Sequence, residues 1–142
     1  MAFELRTFRS RGSCAIWLKS ILPGFTELTV GLRFLREAEV LARLDHPNIV
    51  RIFDAGVHEQ TSFIVLEHLK GQSLRKLLDQ RKRLALGDAL ALLFPVISAI
   101  DHAHSRGVLH RDLKPSNLFI THDHLRRACA TVLDFGVCQL RD

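Results

Sequence analysis

The 142-residue sequence predicts an α+β chain in two parts, strands first and helices later, joined by a short connector. Three observations carry this. Residues 15–22 and the apolar runs at 49–53 and 62–66 have the length and composition of strands. Apolar residues return at helical spacing over 32–44 and again over 88–105. Between the two groups, Glu67-His68-Leu69-Lys70-Gly71 reads as a connector.

Taken in order, residues 1–14 show no clear element and form an unassigned N-terminal segment. The strand at 15–22 runs into a turn at Pro23-Gly24. In the helix over 32–44, Phe34, Ala38, Leu41 and Leu44 make one apolar stripe. Glu37 falls on that same stripe, and a charge on an inward face needs a partner. His46-Pro47-Asn48 ends the helix, because the residue before a proline disfavours helical backbone.

Ile49–Phe53 and Ser62–Leu66 are expected to pair antiparallel, reversing through Gly56 and a polar stretch. Ser73 is placed to cap a short helix at Leu74–Leu78. The longest helical pattern has Asp88 in its first turn, where negative charge is favourable, and Leu90, Leu93, Ile97, Ile100 and His104 on one side. Pro95 argues for a bend, since an interior proline costs about 3 kcal/mol, and Gly107 stops the helix. Leu118–Ile120 and Thr131–Leu133 then read as short strands around a polar tip at 121–127.

The balance of 47% hydrophobic and 25% charged residues fits a soluble globular unit, without low complexity or repeats. A net charge of +5 would suit a nucleic-acid binder only if basic and aromatic residues interleaved. The short runs Arg81-Lys82-Arg83 and Arg126-Arg127 lack such neighbours, so they read as solvated surface and no nucleic-acid partner is expected. Cys14, Cys129 and Cys138 are isolated and lack metal-ligand spacing, which points to a reduced, cytoplasmic setting. No uninterrupted run approaches 18 apolar residues, so no membrane segment is expected.

The chemistry concentrates in His-Arg-Asp-Leu-Lys-Pro-Ser-Asn at His110–Asn117 and Asp-Phe-Gly at Asp134–Gly136. A carboxylate, a lysine two residues on and an asparagine five residues on supply a proton acceptor, a cation and a neutral oxygen ligand from one tight loop. A second carboxylate completes a site for a hard cation, and Gly136 gives backbone freedom beside it.

With these motifs in this order, the chain resembles a protein kinase of the serine/threonine type, similar to the bacterial eukaryotic-like kinases, from roughly Lys19 onward. The resemblance implies a two-lobed protein-kinase-like fold, truncated at both ends. Residues 15–66 would be a partial N-lobe, 67–71 the hinge and 72–142 a partial C-lobe ending just after Asp-Phe-Gly. It further implies Mg²⁺-dependent transfer of the ATP γ-phosphate to a Ser or Thr hydroxyl of a protein substrate.

By the same resemblance, Asp112 accepts the hydroxyl proton and Lys114 meets the transferring phosphate. Asn117 and Asp134 hold Mg²⁺, while His110 steadies the Asp-Phe-Gly backbone. Lys19 is the phosphate-binding strand lysine and Glu37 its helix partner. Leu66 is the gatekeeper, and backbone groups of Glu67, His68 and Leu69 meet the adenine edge.

Three departures stand beside this. The family's Val-Ala-Ile-Lys is replaced by Ile16-Trp17-Leu18-Lys19, which sets an indole where a small residue lies above adenine. No Gly-x-Gly-x-x-Gly occurs. Only six residues follow Gly136, so the helix around Leu90–Ile100 is expected to expose an apolar patch, favouring self-association or instability. The alternative reading is therefore a truncated or pseudo-kinase remnant that binds a partner without turnover.

Overall fold

The computed structural model of the chain describes residues 3–9, 15–21, 28–59, 61–122 and 127–135. The expected turn at Pro23-Gly24, the cysteines Cys14 and Cys138, and Gly136 lie outside them. The chain divides into two compact units. One is Met1–Arg43 with Arg51–His68, and the other is Leu44–Val50 with Leu69–Asp142.

Among the described residues, the first unit is a four-stranded antiparallel sheet with one helix. Its strands are β1 (Phe3–Arg9), β2 (Ala15–Ile21), β3 (Ile52–His58) and β4 (Thr61–Glu67), in the order β1-β2-β4-β3. Helix α1 (Leu28–Leu41) packs on β3 and β4. The N-terminal segment is thus not elementless. Its alternation is interrupted at Thr7-Phe8, so the pattern is weak, and β1 owes its form to a full antiparallel ladder with β2.

Strand β2 shows why the lysine is inside. Trp17 and Lys19 are buried while Ile16, Leu18 and Ser20 are only half-buried, the two-residue alternation of a sheet face. Trp17 pairs with Leu66 and Lys19 with Ile64, both buried positions of β4. The stripe Phe34, Ala38 and Leu41 of α1 is likewise buried. The helix begins four residues before the expected start at 32 and ends at Leu41 rather than 44.

The hairpin is shifted from its expected register. Strand β3 begins at Ile52, and the reversal comes at Glu59, which has φ +46°, rather than at Gly56. Gly56 lies inside the strand, where an added Cβ would come 3.2 Å from the Phe63 ring. The displaced residues have another use, because Ile49 forms a parallel bridge to Val132 and Val50 N–H donates to the Val132 carbonyl at 3.0 Å. Leu44–Val50 therefore belongs with the second unit, whereas the sequence reading ran the first part unbroken from 15 to 66.

The second unit contains β5 (Gln72–Ser73), α2 (Leu74–Arg81), α3 (Leu86–His104), a 3₁₀ turn at Pro115–Asn117, β6 (Leu118–His122) and β7 (Ala128–Val132). The strands form an antiparallel sheet in the order β5-β6-β7. Ser73 caps α2, its Oγ accepting from Lys76 N–H at 3.2 Å. Gly71 is irreplaceable on steric grounds, since a Cβ there would lie 1.9 Å from the Ile120 carbonyl oxygen.

Helix α3 continues through Pro95 and packs on β7. Its buried residues are Leu92, Val96, Ala99 and Ala103. The stripe picked out in the sequence is mostly the other side: Leu90, Leu93 and Ile97 are exposed, with Phe94 beside them. The helix is apolar nearly all round, so periodicity alone does not choose a face. The choice falls to Ala99 and Ala103, whose small side chains permit close approach to a sheet. By length and composition alone α3 would be able to cross a membrane, a test that a core helix also passes. After it, Gly107 takes φ +73° and Val108 N–H returns to Ala103.

Candidate active site

In the second unit the His110–Asn117 loop folds on itself. Asp112 N–H donates to the His110 carbonyl at 2.8 Å, closing a three-residue turn in which Arg111 takes φ +59°. A positive φ on a residue with a side chain is strained backbone. Pro115 opens the 3₁₀ turn that follows, and Asn117 N–H donates to the Lys114 carbonyl at 2.9 Å.

These two turns bring three of the sequence-named groups together. Lys114 Nζ lies 2.6 Å from Asp112 Oδ2. Asn117 Nδ2 donates to the same oxygen at 3.1 Å and to the Asp112 carbonyl at 2.9 Å. The bond from Lys114, with further help from its charge and from Asn117, holds the Asp112 carboxyl below the usual carboxylate range. Asp112 and Lys114 are about half exposed while Asn117 is buried, so the pair is open to a substrate and its support is not.

Leu133 ties the Asp-Phe-Gly segment to this loop. Its N–H donates to the Asn117 carbonyl at 2.8 Å, and its carbonyl accepts from His110 Nε2 at 3.0 Å. The His110 ring, buried, also accepts from Asp112 N–H at Nδ1 at 3.3 Å and packs tilted against Phe135 with centroids 4.6 Å apart. Donor at one nitrogen and acceptor at the other is the neutral imidazole. Burial lowers the His110 pKa, against the opposing pull of the Leu133 bond and of Asp112 and Asp134. Asp134, next along, takes φ +35° and is half-buried. The loop and the second carboxylate are thereby set one residue from a shared backbone bond.

In the first unit, Lys19 is buried with Nζ 5.7 Å from the centroid of the Phe34 ring on α1. Glu37 lies on α1 one turn beyond Phe34, and its side chain is outside the described residues. The Trp17 indole meets the His68 imidazole edge to face, with centroids 5.3 Å apart. His68 Nδ1 is buried without a hydrogen-bond partner among the described residues. Of the connector groups expected to meet a base, the Glu67 N–H is already committed to the Arg51 carbonyl at 2.9 Å. Leu69 is half-buried and begins the second unit.

One positioning residue escaped the sequence reading. Asn48, which the sequence marks only as part of a helix stop, donates from Nδ2 to the Ala130 carbonyl at 2.9 Å and to Cys129 Sγ at 3.1 Å. Its own carbonyl accepts from Val132 N–H at 2.7 Å. It thus braces β7 just before Leu133. Its adjacency to Pro47 masks this role, because both features read as a break in a helix.

A carboxylate bonded by a lysine and an asparagine from one loop, joined through Leu133 to a second carboxylate, is the arrangement expected from the resemblance to the protein kinases. The family model described as "Protein kinase domain" matches residues 15–141, and the chain belongs to that family. Over 107 residues it is 40% identical to the "Probable serine/threonine-protein kinase PknB" of Lactococcus lactis subsp. lactis (strain IL1403), covering 75% of this chain and 16% of that protein. It is also 40% identical over 105 residues to the "Serine/threonine-protein kinase PrkC" of Bacillus subtilis (strain 168), covering 74% and 16%. Among solved structures, the Mycobacterium tuberculosis PknI kinase domain superposes with a TM-score of 0.79 at 31% identity, over 96% of this chain and 56% of that one. The chain spans less than a fifth of the two curated relatives' length.

Proposed function

We propose that this chain carries catalytic groups of a serine/threonine protein kinase that moves the γ-phosphoryl of ATP to a protein Ser or Thr hydroxyl. The observation that carries this is the convergence of Lys114 Nζ and Asn117 Nδ2 on Asp112 Oδ2, at 2.6 and 3.1 Å. Ionised Asp112 orients the hydroxyl and takes its proton as the new O–P bond forms and the bond to the β–γ bridging oxygen breaks. Lys114 leans on the oxygens of the transferring group. Lys19 in the first unit, with Glu37 as its partner, serves the remaining phosphates. Glu67 and Leu69 offer backbone groups to the base, the Glu67 N–H excepted.

The residues present fit Mg²⁺. Asn117 keeps its nitrogen on Asp112, and its Oδ1 has no hydrogen-bond partner among the described residues. With the Asp134 carboxylate it makes a hard-oxygen pair, suited to an ion that draws its other ligands from water and phosphate. When bound, the ion would neutralise charge developing on the phosphate oxygens.

The packing of Trp17 against His68 favours a second reading, a domain that binds partners with little or no turnover. A melting-temperature series with Mg·ATP separates the two, run beside a phosphoryl-transfer assay on a Ser/Thr peptide. A shift lost in Asp134→Asn, with transfer lost in Asp112→Asn, supports the kinase reading. No shift at saturating nucleotide and no transfer would leave the binding module.

A further inference from the structure

Two imidazoles meet where the Leu44–Val50 segment packs on the C-terminal half of α3. The rings of His46 and His102 are half-buried and tilted by 53°, with centroids 5.1 Å apart. Each is held neutral by a donor at its Nδ1. The Asn48 N–H donates to His46 Nδ1 at 3.1 Å, which leaves His46 Nε2 to donate to Ser98 Oγ at 3.2 Å. Arg106 Nη1, which can only donate, lies 3.1 Å from His102 Nδ1. The proton of each ring therefore sits on Nε2, and the place left for a second proton already faces an N–H.

Acid finds no counter-charge here. The other charged or titratable groups on the packed elements are Asp45 beside His46, then Asp101, His104 and Arg106 around the end of α3, and Cys129 on β7. Asp45 and Asp101 are exposed, and no ion pair among the described residues joins either to a ring. Burial, and next the charge of His102, hold the His46 pKa below its usual 6.5. With both rings protonated beside Arg106, three cations would share one cluster. His102 Nε2 is also buried without a hydrogen-bond partner among the described residues, so opening the contact would hydrate a donor that closure strands.

The segment these rings hold is the one that braces β7. A proton on His46 Nδ1 would set two N–H groups face to face at Asn48, whose amide and carbonyl hold Ala130 and Val132. Val50, two residues on, donates to the Val132 carbonyl. All of these groups belong to the second unit.

We propose that the His46–His102 pair is a proton-sensitive latch: mild acid charges it and releases Leu44–Val50 from α3 and β7 while the rest of the unit stays folded. The release does not depend on catalysis, and only an effect on phosphoryl transfer, passed through Leu133, rests on the kinase reading. A freed His46 takes its proton near 6.5 and the latched ring only at lower pH, so protons below 6.5 favour the open segment. The latch is complete above that pH and is lost as pH falls toward the lower closed value.

Amide hydrogen exchange of the 142-residue chain, followed by NMR between about pH 8 and about pH 5, tests this. With the intrinsic pH dependence divided out, protection at Val50 and Val132 should fall about three- to tenfold below 6.5, while Ile120 in β6 and Ile64 in β4 hold theirs. His46→Asn keeps an acceptor for the Asn48 N–H, since an asparagine bonds the backbone two residues on, but it cannot take a charge. It should hold protection level across the range, and His102→Gln should lessen the fall. No fall in the wild type overturns the proposal. An equal fall in His46→Asn also overturns it, placing the proton elsewhere, and a fall shared by Ile120 overturns it in favour of unfolding of the whole unit. A second measurement needs no variant: the His46 ring signals should titrate with a midpoint below 6.5, together with the Asn48 amide. A midpoint at or above 6.5 sinks the latch.

Discussion

The His110–Asn117 loop and strand β2 both carry a lysine assigned to phosphate, yet they hold it in opposite ways. Lys114 is half exposed, its Nζ 2.6 Å from Asp112 two residues away. Lys19 is buried on a sheet face, its Nζ over the Phe34 ring of a helix fifteen positions on. The loop makes much of its own geometry: bonds among residues 110–117 bring Asp112, Lys114 and Asn117 together. The strand's geometry is borrowed from α1 and β4, and with Trp17 it also carries a bulky residue on the same face. Chemistry is written locally in one region and through packing in the other.

The largest test of this contrast is Asp112→Asn in the kinase assay. Transfer is expected to fall about 10²–10⁴-fold with the melting temperature nearly unchanged, because the residue is exposed and its proposed role is proton transfer. In β2 the order of effects reverses. Trp17→Ala removes a buried indole and should cost about 3–5 kcal/mol in a denaturant titration. The same change should tighten Mg·ATP, read with a fluorescent nucleotide. Weaker binding would instead make the indole part of the base site.

Acid should probe the loop's support. The unfolded imidazole of His110 takes its proton near 6.5, whereas burial lowers the folded value. Protons below 6.5 therefore favour the unfolded chain. The stability held by neutral His110 is complete above that pH and is lost as pH falls through the lower folded value. His46 is lowered too, by burial and by His102, so His110→Gln should flatten the acid limb of a stability–pH curve without removing it. The smallest expected effect lies outside both regions. Ser73→Ala removes a cap from α2 and should cost about 1 kcal/mol with transfer unchanged, which sets the scale for a purely structural loss.

The same contrast decides what the sequence could reveal. The His110–Asn117 constellation was legible because its partners are near neighbours and its residue types are few. Ser73, the β6–β7 hairpin and α1 were legible through capping and periodicity, and they fell within a few residues of their bounds. What stayed hidden depends on partners distant in sequence. Strand β1 needs β2 to exist. The exposed face of α3 is as apolar as its buried one, so only the sheet beneath it decides which turns inward. Ile49 and Val50 looked like the start of β3 because nothing near them announces β7. Asn48 looked like punctuation for the same reason, its amide reaching a carbonyl 82 residues away.

That last span bears on the order in which the chain is made. Leu44–Val50 leaves the ribosome early, but Ala130 and Val132, the groups that satisfy it, are among the last described residues. Until they emerge, the Asn48 amide and the Val50 N–H have only water to bond, and the closure waits for most of the chain. Closing a loop of that length is an entropic cost met late, and β7 is braced only then. The His110–Asn117 loop, made of near neighbours, can form its turns as it is synthesised. The carboxylate of Asp134, reached through Leu133, would be set only when the early segment finds its late partner.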